Sequence, residues 1–274
     1  MSSKIKRVTF TWFLSLFLIF TIATGAYAYS SILAFGDSLS DNGIYELYTG
    51  GTAGNTNPDD VYGFMRFSNG PVWVEYMAQN MGIPYTSLLD MAYGGATTGW
   101  DNPAAGLPIT GLQWQVFEYN DQFGGYISPD TLVTVWAGGN DMFNGRSPDV
   151  AAQNIALAIQ NLIFLGGKTF LVPNLIISGN NAAWMEAFDI FLLTQLCLMN
   201  LVNPGIDFYL LDWNKVDLDG LAADNIMMPD GIHPTTAHHE RIAQIAWTQI
   251  PEPASVILLI FGFAGLITVK RKMR

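Results

Sequence analysis

The chain has 274 residues, of which half are hydrophobic and 13% are charged, and its formal net charge is −11 at pH 7. This length suits one α/β domain of ordinary size with processed ends, and the acidic balance disfavours nucleic acid as a partner. With one cysteine, Cys197, the chain forms no internal disulfide.

The first 28 residues have the order of a secretory signal peptide. Lys4, Lys6 and Arg7 come before an apolar run at residues 10–22, and Ala26-Tyr27-Ala28 forms a small-x-small cleavage site. Cleavage directly after this site is predicted, and an anchor that stays in place is the alternative.

Apolar runs that end abruptly at turn residues predict buried strands along the remaining chain. These runs are residues 31–35, 132–136, 169–172 and 206–211, with 85–89 as a weaker candidate. Helical patterns lie between and after them, at residues 72–81, 112–123, 150–165, 183–203 and 235–249. Residues 49–60 and 212–229 are predicted loops. Alternating strands and helices predict a three-layer α/β domain with a mostly parallel central sheet. Cys197 lies in an apolar helical pattern and is expected in the core.

Ser38 directly follows the first predicted strand, within Gly36-Asp37-Ser38-Leu39. A glycine lets the backbone turn sharply at a strand end, and a serine at a helix start gains from the positive end of the helix dipole when its oxygen develops charge. The pattern indicates a nucleophile. A turn or helix cap formed by Asp37 and Ser38 is the alternative.

Asp230 and His233 are three residues apart in a predicted turn. This spacing puts both side chains on one side, so that the carboxylate can hold the Nδ1 proton of the imidazole while Nε2 faces a nucleophile. The alternative for Asp230 is a cap of the following helix. His238 and His239 lie inside that helix and are expected on a packed or solvated face.

Two further segments can supply hydrogen-bond donors for a developing oxyanion. Gly95, in a Gly-Gly-Ala-Thr stretch, can present a bare backbone N–H, and Asn140, in Gly-Gly-Asn-Asp after a predicted strand, can present a side-chain amide. Ordinary turn chemistry is the alternative for both.

The four motifs Gly-Asp-Ser-Leu, Gly-Gly-Ala-Thr, Gly-Gly-Asn-Asp and Asp-x-x-His, in this order over residues 33–250, resemble the GDSL, or SGNH, hydrolase family. The resemblance implies Ser38 as the nucleophile, Gly95 and Asn140 as oxyanion donors together with Ser38, and Asp230 and His233 as the acid–base pair. It also implies a flavodoxin-like sheet of about five parallel strands, no metal and no cofactor.

Residues 66–73 are similar to the bacterial branch of thermolabile haemolysins and glycerophospholipid acyltransferases. The chain departs from that branch at Asp90, where an asparagine is usual, and it lacks an Asn-x-x-Leu pattern in the helix between the fourth and fifth strands. An α/β-hydrolase is disfavoured because the sequence contains no Gly-x-Ser-x-Gly.

These residues predict a serine ester hydrolase that cleaves carboxylic esters through an acyl-enzyme on Ser38. The ester is expected to be a lipid or an acylated carbohydrate, and acyl transfer to another alcohol is an open alternative. Phe64, Phe67, Trp73 and Trp100 are candidates for an apolar acyl groove. A surface or matrix protein that binds glycans on the same fold without turnover is the alternative from another class.

Residues 251–274 contain Pro251-Glu252-Pro253, an uncharged apolar run at 254–269 and a terminal basic cluster. Together these resemble the PEP-CTERM sorting signal, which implies cleavage by an exosortase-type enzyme. The protein is then expected to be exported, held transiently in the inner membrane by the apolar run, and passed to the cell envelope or the medium. A plain C-terminal anchor is the alternative. Removal of both ends leaves 5 Lys and Arg against 22 Asp and Glu, a net charge near −17.

Overall fold

A five-stranded sheet forms the centre of the molecule. Its strands are β1 (Ser31–Gly36), β2 (Leu88–Asp90), β3 (Thr131–Trp136), β4 (Thr169–Pro173) and β5 (Asp207–Leu211). All neighbours pair in parallel, in the order β2-β1-β3-β4-β5. The predicted α/β architecture with about five parallel strands is confirmed.

The computed structural model describes residues 29–44, 66–104 and 109–250. The predicted signal peptide, the sorting signal, the loop at 49–60 and Phe64 lie outside these residues.

Six helices are described around the sheet. They are α1 (Trp73–Asn80), α2 (Leu112–Phe123), α3 (Gly139–Phe143), α4 (Pro148–Phe164), α5 (Ala182–Val202) and α6 (Thr236–Gln249). Short 3₁₀ turns occur at Tyr85–Ser87, Gly179–Asn181, Trp213–Lys215 and Ala223–Asn225. Helices α1 and α6 pack together on one face of the sheet, and α2, α4 and α5 cover the other. Because both faces of the sheet are buried, the sequences of its central strands are continuous apolar runs.

Helix α5 buries one ridge against the sheet. Phe188, Leu192, Leu196 and Met199 recur at intervals of three or four residues and belong to the core. Within the described chain, Gly179–Val202 is the stretch long and apolar enough to cross a membrane by length and composition. The expectation that Cys197 is a core residue is wrong, because it lies on the exposed side of this helix.

The strand order places a crevice at the carboxyl end of β1. The connection from β1 leads to β2 on one side, and the connection from β2 crosses back past β1 to β3 on the other side. Open α/β sheets bind ligands at such a reversal of strand order. Gly36 ends β1 with φ +147°, and a Cβ atom there would lie 2.0 Å from the carbonyl oxygen of Trp136. Only glycine lets β1 and β3 approach this closely at the crevice.

Candidate active site

Ser38, His233 and Asp230 form a continuous hydrogen-bonded relay. Ser38 Oγ lies 2.8 Å from His233 Nε2, and His233 Nδ1 lies 2.7 Å from Asp230 Oδ2. A carboxylate only accepts, so Nδ1 carries the ring proton and Nε2 accepts the hydrogen of the Ser38 hydroxyl. Asp230 and His233, the predicted acid–base pair, thus lie next to Ser38 in the fold. His233 and Ser38 are 195 residues apart in sequence.

Ser38 lies in a single turn after β1. The N–H of Asp41 donates to the carbonyl of Asp37 at 3.0 Å and closes this turn. Ser38 is 8% exposed, so its hydroxyl is largely screened from water except toward the crevice.

The turn that carries Asp230 and His233 is fixed by its own backbone. Asp230 Oδ1 accepts from the N–H of Ile232 at 2.8 Å and from the N–H of His233 at 3.0 Å, which leaves Oδ2 for the imidazole. The cap of α6 is Thr235, whose hydroxyl accepts from the N–H of His238, so the alternative of Asp230 as the helix cap is wrong. Phe67 packs against the His233 ring with centroids 5.2 Å apart.

The predicted oxyanion donors follow the ends of neighbouring strands. Gly95 comes after β2 with φ +82°, and Asn140 lies in the first turn of α3, after β3. Among the described residues, the backbone N–H groups of Ser38 and Gly95 donate no hydrogen bond. The Asn140 amide donates to the carbonyl of Ala96 at 3.0 Å. Two bare N–H groups and one oriented amide are therefore present in the segments that follow β1, β2 and β3.

Two acidic residues that the sequence analysis did not assign to the site contact the segments that carry these groups. Asp41 accepts from the N–H of Gly94 at 2.8 Å and so ties the glycine loop to the Ser38 turn. Asp37 accepts from the N–H of Leu39 at 3.1 Å and lies 3.4 Å from the Asn140 amide. Both residues belong to the segment that contains Ser38. Their closeness to Ser38 in sequence is the feature from which this supporting role could have been predicted.

Asp37 is buried next to Ser38. Burial raises its pKa to about 7, against the lowering effect of the hydrogen bond from Leu39, and the charges of Asp141 and Asp41 add to the increase. The carboxyl group beside Ser38 is therefore partly neutral near pH 7.

Gln115, on α2, is a further supporting residue that the sequence did not indicate. Its side chain accepts from the N–H of Gly36 at 2.9 Å and donates to the carbonyl of Gly36 at 2.7 Å. Both polar groups of Gly36, which precedes the Ser38 turn, thus pair with one buried amide. No local pattern marks a partner that is 79 residues away in sequence.

A cleft of about 240 Å³ opens beside Ser38 and His233. Most of its walls are apolar side chains, namely Leu39, Met142, Phe143, Leu175, Ile176, Met185, Trp213, Met227 and Ile232. The predicted aromatic groove is corrected here: Trp73 is fully buried, Trp100 is 56% exposed, and neither lines this cleft. Aromatic residues in an apolar sequence give no information about which of them the fold places at a surface.

His238 and His239 lie on the packed face of α6, which is one of the two faces predicted for them. His238 accepts from Trp213 Nε1 at 3.0 Å, and its Nδ1 is 3.1 Å from the carbonyl of Ile226. Burial lowers the pKa of both imidazoles, and that of His239 falls well below its ordinary value. Both rings are therefore neutral parts of the core.

Comparison with known proteins gives matches in both sequence and structure. The family of GDSL-like lipases/acylhydrolases matches residues 32–246. A phosphatidylcholine-sterol acyltransferase of Aeromonas hydrophila is 33% identical over 165 residues, which are 56% of this chain and 47% of that protein. A thermolabile hemolysin of Vibrio parahaemolyticus is 33% identical over 151 residues, which are 53% of this chain and 34% of that protein. The chain thus spans less than half the length of these two relatives.

Solved structures share the fold at low sequence identity. An acetylxylan esterase from Geobacillus stearothermophilus superposes with a TM-score of 0.51 at 15% identity, over 80% of this chain and 93% of that one. TesA superposes with a TM-score of 0.50 at 18% identity, over 80% and 97%. Because the family match extends over most of the described domain, the chain belongs to the GDSL-like lipase/acylhydrolase family.

Proposed function

We propose that the chain is a serine ester hydrolase that cleaves carboxylic esters through an acyl-enzyme on Ser38. The observation that carries this proposal is the relay in which Ser38 Oγ is 2.8 Å from His233 and His233 is 2.7 Å from Asp230. Such a relay activates a hydroxyl that is otherwise a weak nucleophile.

The acylation step uses all three groups. Ser38 Oγ attacks the ester carbonyl carbon while His233 Nε2 takes the hydroxyl proton. The bond from that carbon to the alcohol oxygen then breaks, and His233 returns the proton to the leaving alcohol. Asp230 holds the Nδ1 proton throughout and stabilises the imidazolium between the two transfers.

The tetrahedral intermediate carries a negative oxygen that needs donors. The N–H groups of Ser38 and Gly95 and the amide of Asn140 are assigned to it, and the unoccupied state of both N–H groups supports this assignment. Donors fixed before the reaction cost no reorganisation when the charge develops.

The acyl-enzyme is resolved by attack of a second oxygen nucleophile. With water, the water oxygen attacks the acyl carbon while His233 removes one of its protons. The bond from that carbon to Ser38 Oγ then breaks, His233 returns the proton to Ser38, and the acid is released. An alcohol in place of water gives a new ester, the reaction class that the name of the Aeromonas relative denotes. Analysis of the products with and without added alcohol separates the two outcomes.

We infer further that the acyl group of the substrate is an apolar chain. Three flexible methionines, Met142, Met185 and Met227, line the cleft beside Ser38 together with aliphatic side chains. Methionine adapts to unbranched chains of varying length. Each methylene that enters such a cleft contributes about 0.8 kcal/mol, or roughly a fourfold gain in kcat/KM. A lipid or another ester of a fatty acid suits this cleft better than an acetylated carbohydrate does.

The test is hydrolysis of nitrophenyl esters from acetyl to decanoyl by the purified full chain. We expect turnover that rises with chain length until the cleft is filled, and that is lost in Ser38→Ala and in His233→Ala. A folded protein without turnover of any ester in the series would instead support the glycan-binding alternative.

We also propose that the chain is exported and processed at residues 251–253 by an exosortase-type enzyme. The order of the Pro-Glu-Pro tripeptide, the apolar run and the basic cluster supports this proposal. Intact-mass analysis of the protein from a host that has this enzyme tests it. A mature form that ends near Pro253 is expected, and a mature form that retains Arg274 would identify a plain anchor.

A further inference from the structure

Helices α4 and α5 expose a broad apolar surface on the side facing away from the sheet. Nine large apolar side chains form it and are each 40–78% exposed, namely Val150, Leu157, Phe164, Ile190, Phe191, Leu193, Leu198, Leu201 and Val202. We call this surface the α4–α5 face.

The two helices present this surface as a unit. They pack against each other along their length, and the Asn203 side chain donates to Gln160 Oε1 at 3.3 Å where α5 ends. Residues 150–164 and 190–202 contain no charged residue, and neither helix contains a lysine or arginine. A solvated helix surface in an acidic domain would ordinarily carry charges.

The size of the face exceeds what a monomer usually leaves open. An aromatic side chain presents roughly 150–250 Å² and an aliphatic one less, so with their exposed fractions the nine residues present on the order of 700 Å² of apolar surface. The largest apolar patch of a typical monomer is about 300–600 Å², and a standard interface buries about 800 Å² on each partner. The area of the face therefore exceeds that of an ordinary monomer patch and is close to one side of a stable dimer.

From these observations we infer that the α4–α5 face is the dimerisation surface of the protein, and that a second copy of the same chain covers it. In a two-fold arrangement, α4 and α5 of one protomer pack against α4 and α5 of its partner to form a layer of four helices.

The spacing of the exposed residues favours a helical partner. Val150, Leu157 and Phe164 recur every seven residues on α4, and Phe191 and Leu198 do so on α5. A seven-residue repeat keeps one stripe of side chains facing a second helix along its length.

The polar residues on the face favour protein over lipid. Asn161 and Asn200 are exposed among the apolar side chains and carry neutral amides that can pair across a dimer interface. A hydrocarbon surface would leave them unsatisfied. The absence of basic residues from both helices also removes the attraction that anionic lipid headgroups offer to membrane-binding proteins.

Cys197 provides a direct reporter, because it is the one cysteine of the chain and it is exposed in the middle of the face. The experiment treats the full chain, in the cells that produce it, with a short bismaleimide that joins two thiols. We expect a covalent dimer of twice the monomer mass in the wild type. Leu193→Glu combined with Leu201→Glu should lower the cross-linked fraction by at least about tenfold, because a charge buried without a partner outweighs the contacts it replaces.

Matched variants separate this interface from other modes of association. Ile109→Glu changes a side chain of similar exposure outside the face and should leave the cross-link unchanged. Cys197→Ser with Gln244→Cys moves the thiol to α6, on the other side of the sheet, and should give no cross-link. Cys197→Ser with Leu157→Cys keeps the thiol on the face and should again give the cross-linked dimer. This variant still tests the interface if the double glutamate variant does not fold.

Two outcomes would overturn the inference. A cross-link that persists in the folded double glutamate variant, or that forms equally from position 244, would place the contact between copies elsewhere. A monomer whose Cys197-attached fluorophore is quenched by nitroxide-labelled lipid chains would show that the face binds a membrane instead.

Discussion

The Asn140 amide donates to the carbonyl of Ala96 at 3.0 Å and lies 3.4 Å from the carboxylate of Asp37. The shorter bond fixes the orientation of the amide, and the longer one leaves its second N–H available to a ligand that accepts more strongly. The amide is thus oriented before substrate binds, which is the condition for efficient stabilisation of a developing oxyanion.

Asn140→Ala should lower kcat by about 10²–10³-fold with little change in KM, because the lost hydrogen bond forms mainly in the transition state. Steady-state kinetics with a nitrophenyl ester measures the effect. Asn120→Ala, at an exposed position on α2, is the matched control and should retain full activity. An equal kcat in Asn140→Ala and the wild type would remove Asn140 from the oxyanion site.

Gly95→Ala should reduce both activity and stability. The position has φ +82°, and an added Cβ would lie 2.5 Å from the Cβ of Ala104 and 2.6 Å from Asn102 Oδ1, so the loop must shift together with its N–H. Gly124→Ala has a similar φ of +71° but open space around the new Cβ, and it isolates the cost of the backbone conformation. We expect a lower kcat only in Gly95→Ala. Steady-state kinetics and thermal unfolding of both variants measure the two effects.

Asp37→Asn should stabilise the protein more at pH 8 than at pH 5. Because burial raises the pKa of Asp37 from 3.8 to about 7, the folded state holds a proton that the unfolded state releases between these values. Stability from this group is therefore complete below pH 4 and is lost as the pH rises to 7. Asparagine is neutral at every pH and avoids this loss. Thermal unfolding at both pH values tests the prediction, and a stability difference that does not vary with pH would contradict it.

Met185→Trp should shorten the acyl chain that the cleft accepts. The larger side chain fills space beside Ser38, so kcat/KM for octanoyl and decanoyl esters should fall while that for the acetyl ester stays near the wild-type value. Tyr126→Trp, 71% exposed after the end of α2, is the control for an added tryptophan outside the cleft. If the chain-length profile of Met185→Trp equals that of the wild type, the cleft does not bind the acyl group.

The architecture was predictable because strands and helices alternate with clear boundaries. The residues that meet at Ser38 each follow a buried strand or a tight turn, and parallel strands bring their carboxyl ends to one edge. The motif order therefore carried enough information to bring Ser38, Asp230 and His233 together.

Other features depend on contacts that no local pattern encodes. Gln115 supports Gly36 from a helix far away in sequence, and the helical period shows only that it belongs to α2. Helix α5 carries large apolar residues on its exposed side as well as on its buried side, so its sequence does not distinguish the two. Cys197 was assigned to the wrong side for this reason.

The central claim is that Ser38 is a nucleophile activated by His233. Its most direct test is labelling of the full chain with a fluorophosphonate, followed by mass spectrometry of the modified peptide. One adduct on Ser38 is expected, absent in Ser38→Ala and strongly slowed in His233→Ala. Ser178→Ala, which removes a second serine of the same cleft, should label like the wild type. Equal labelling of Ser38→Ala, or an adduct on another residue, would contradict the account.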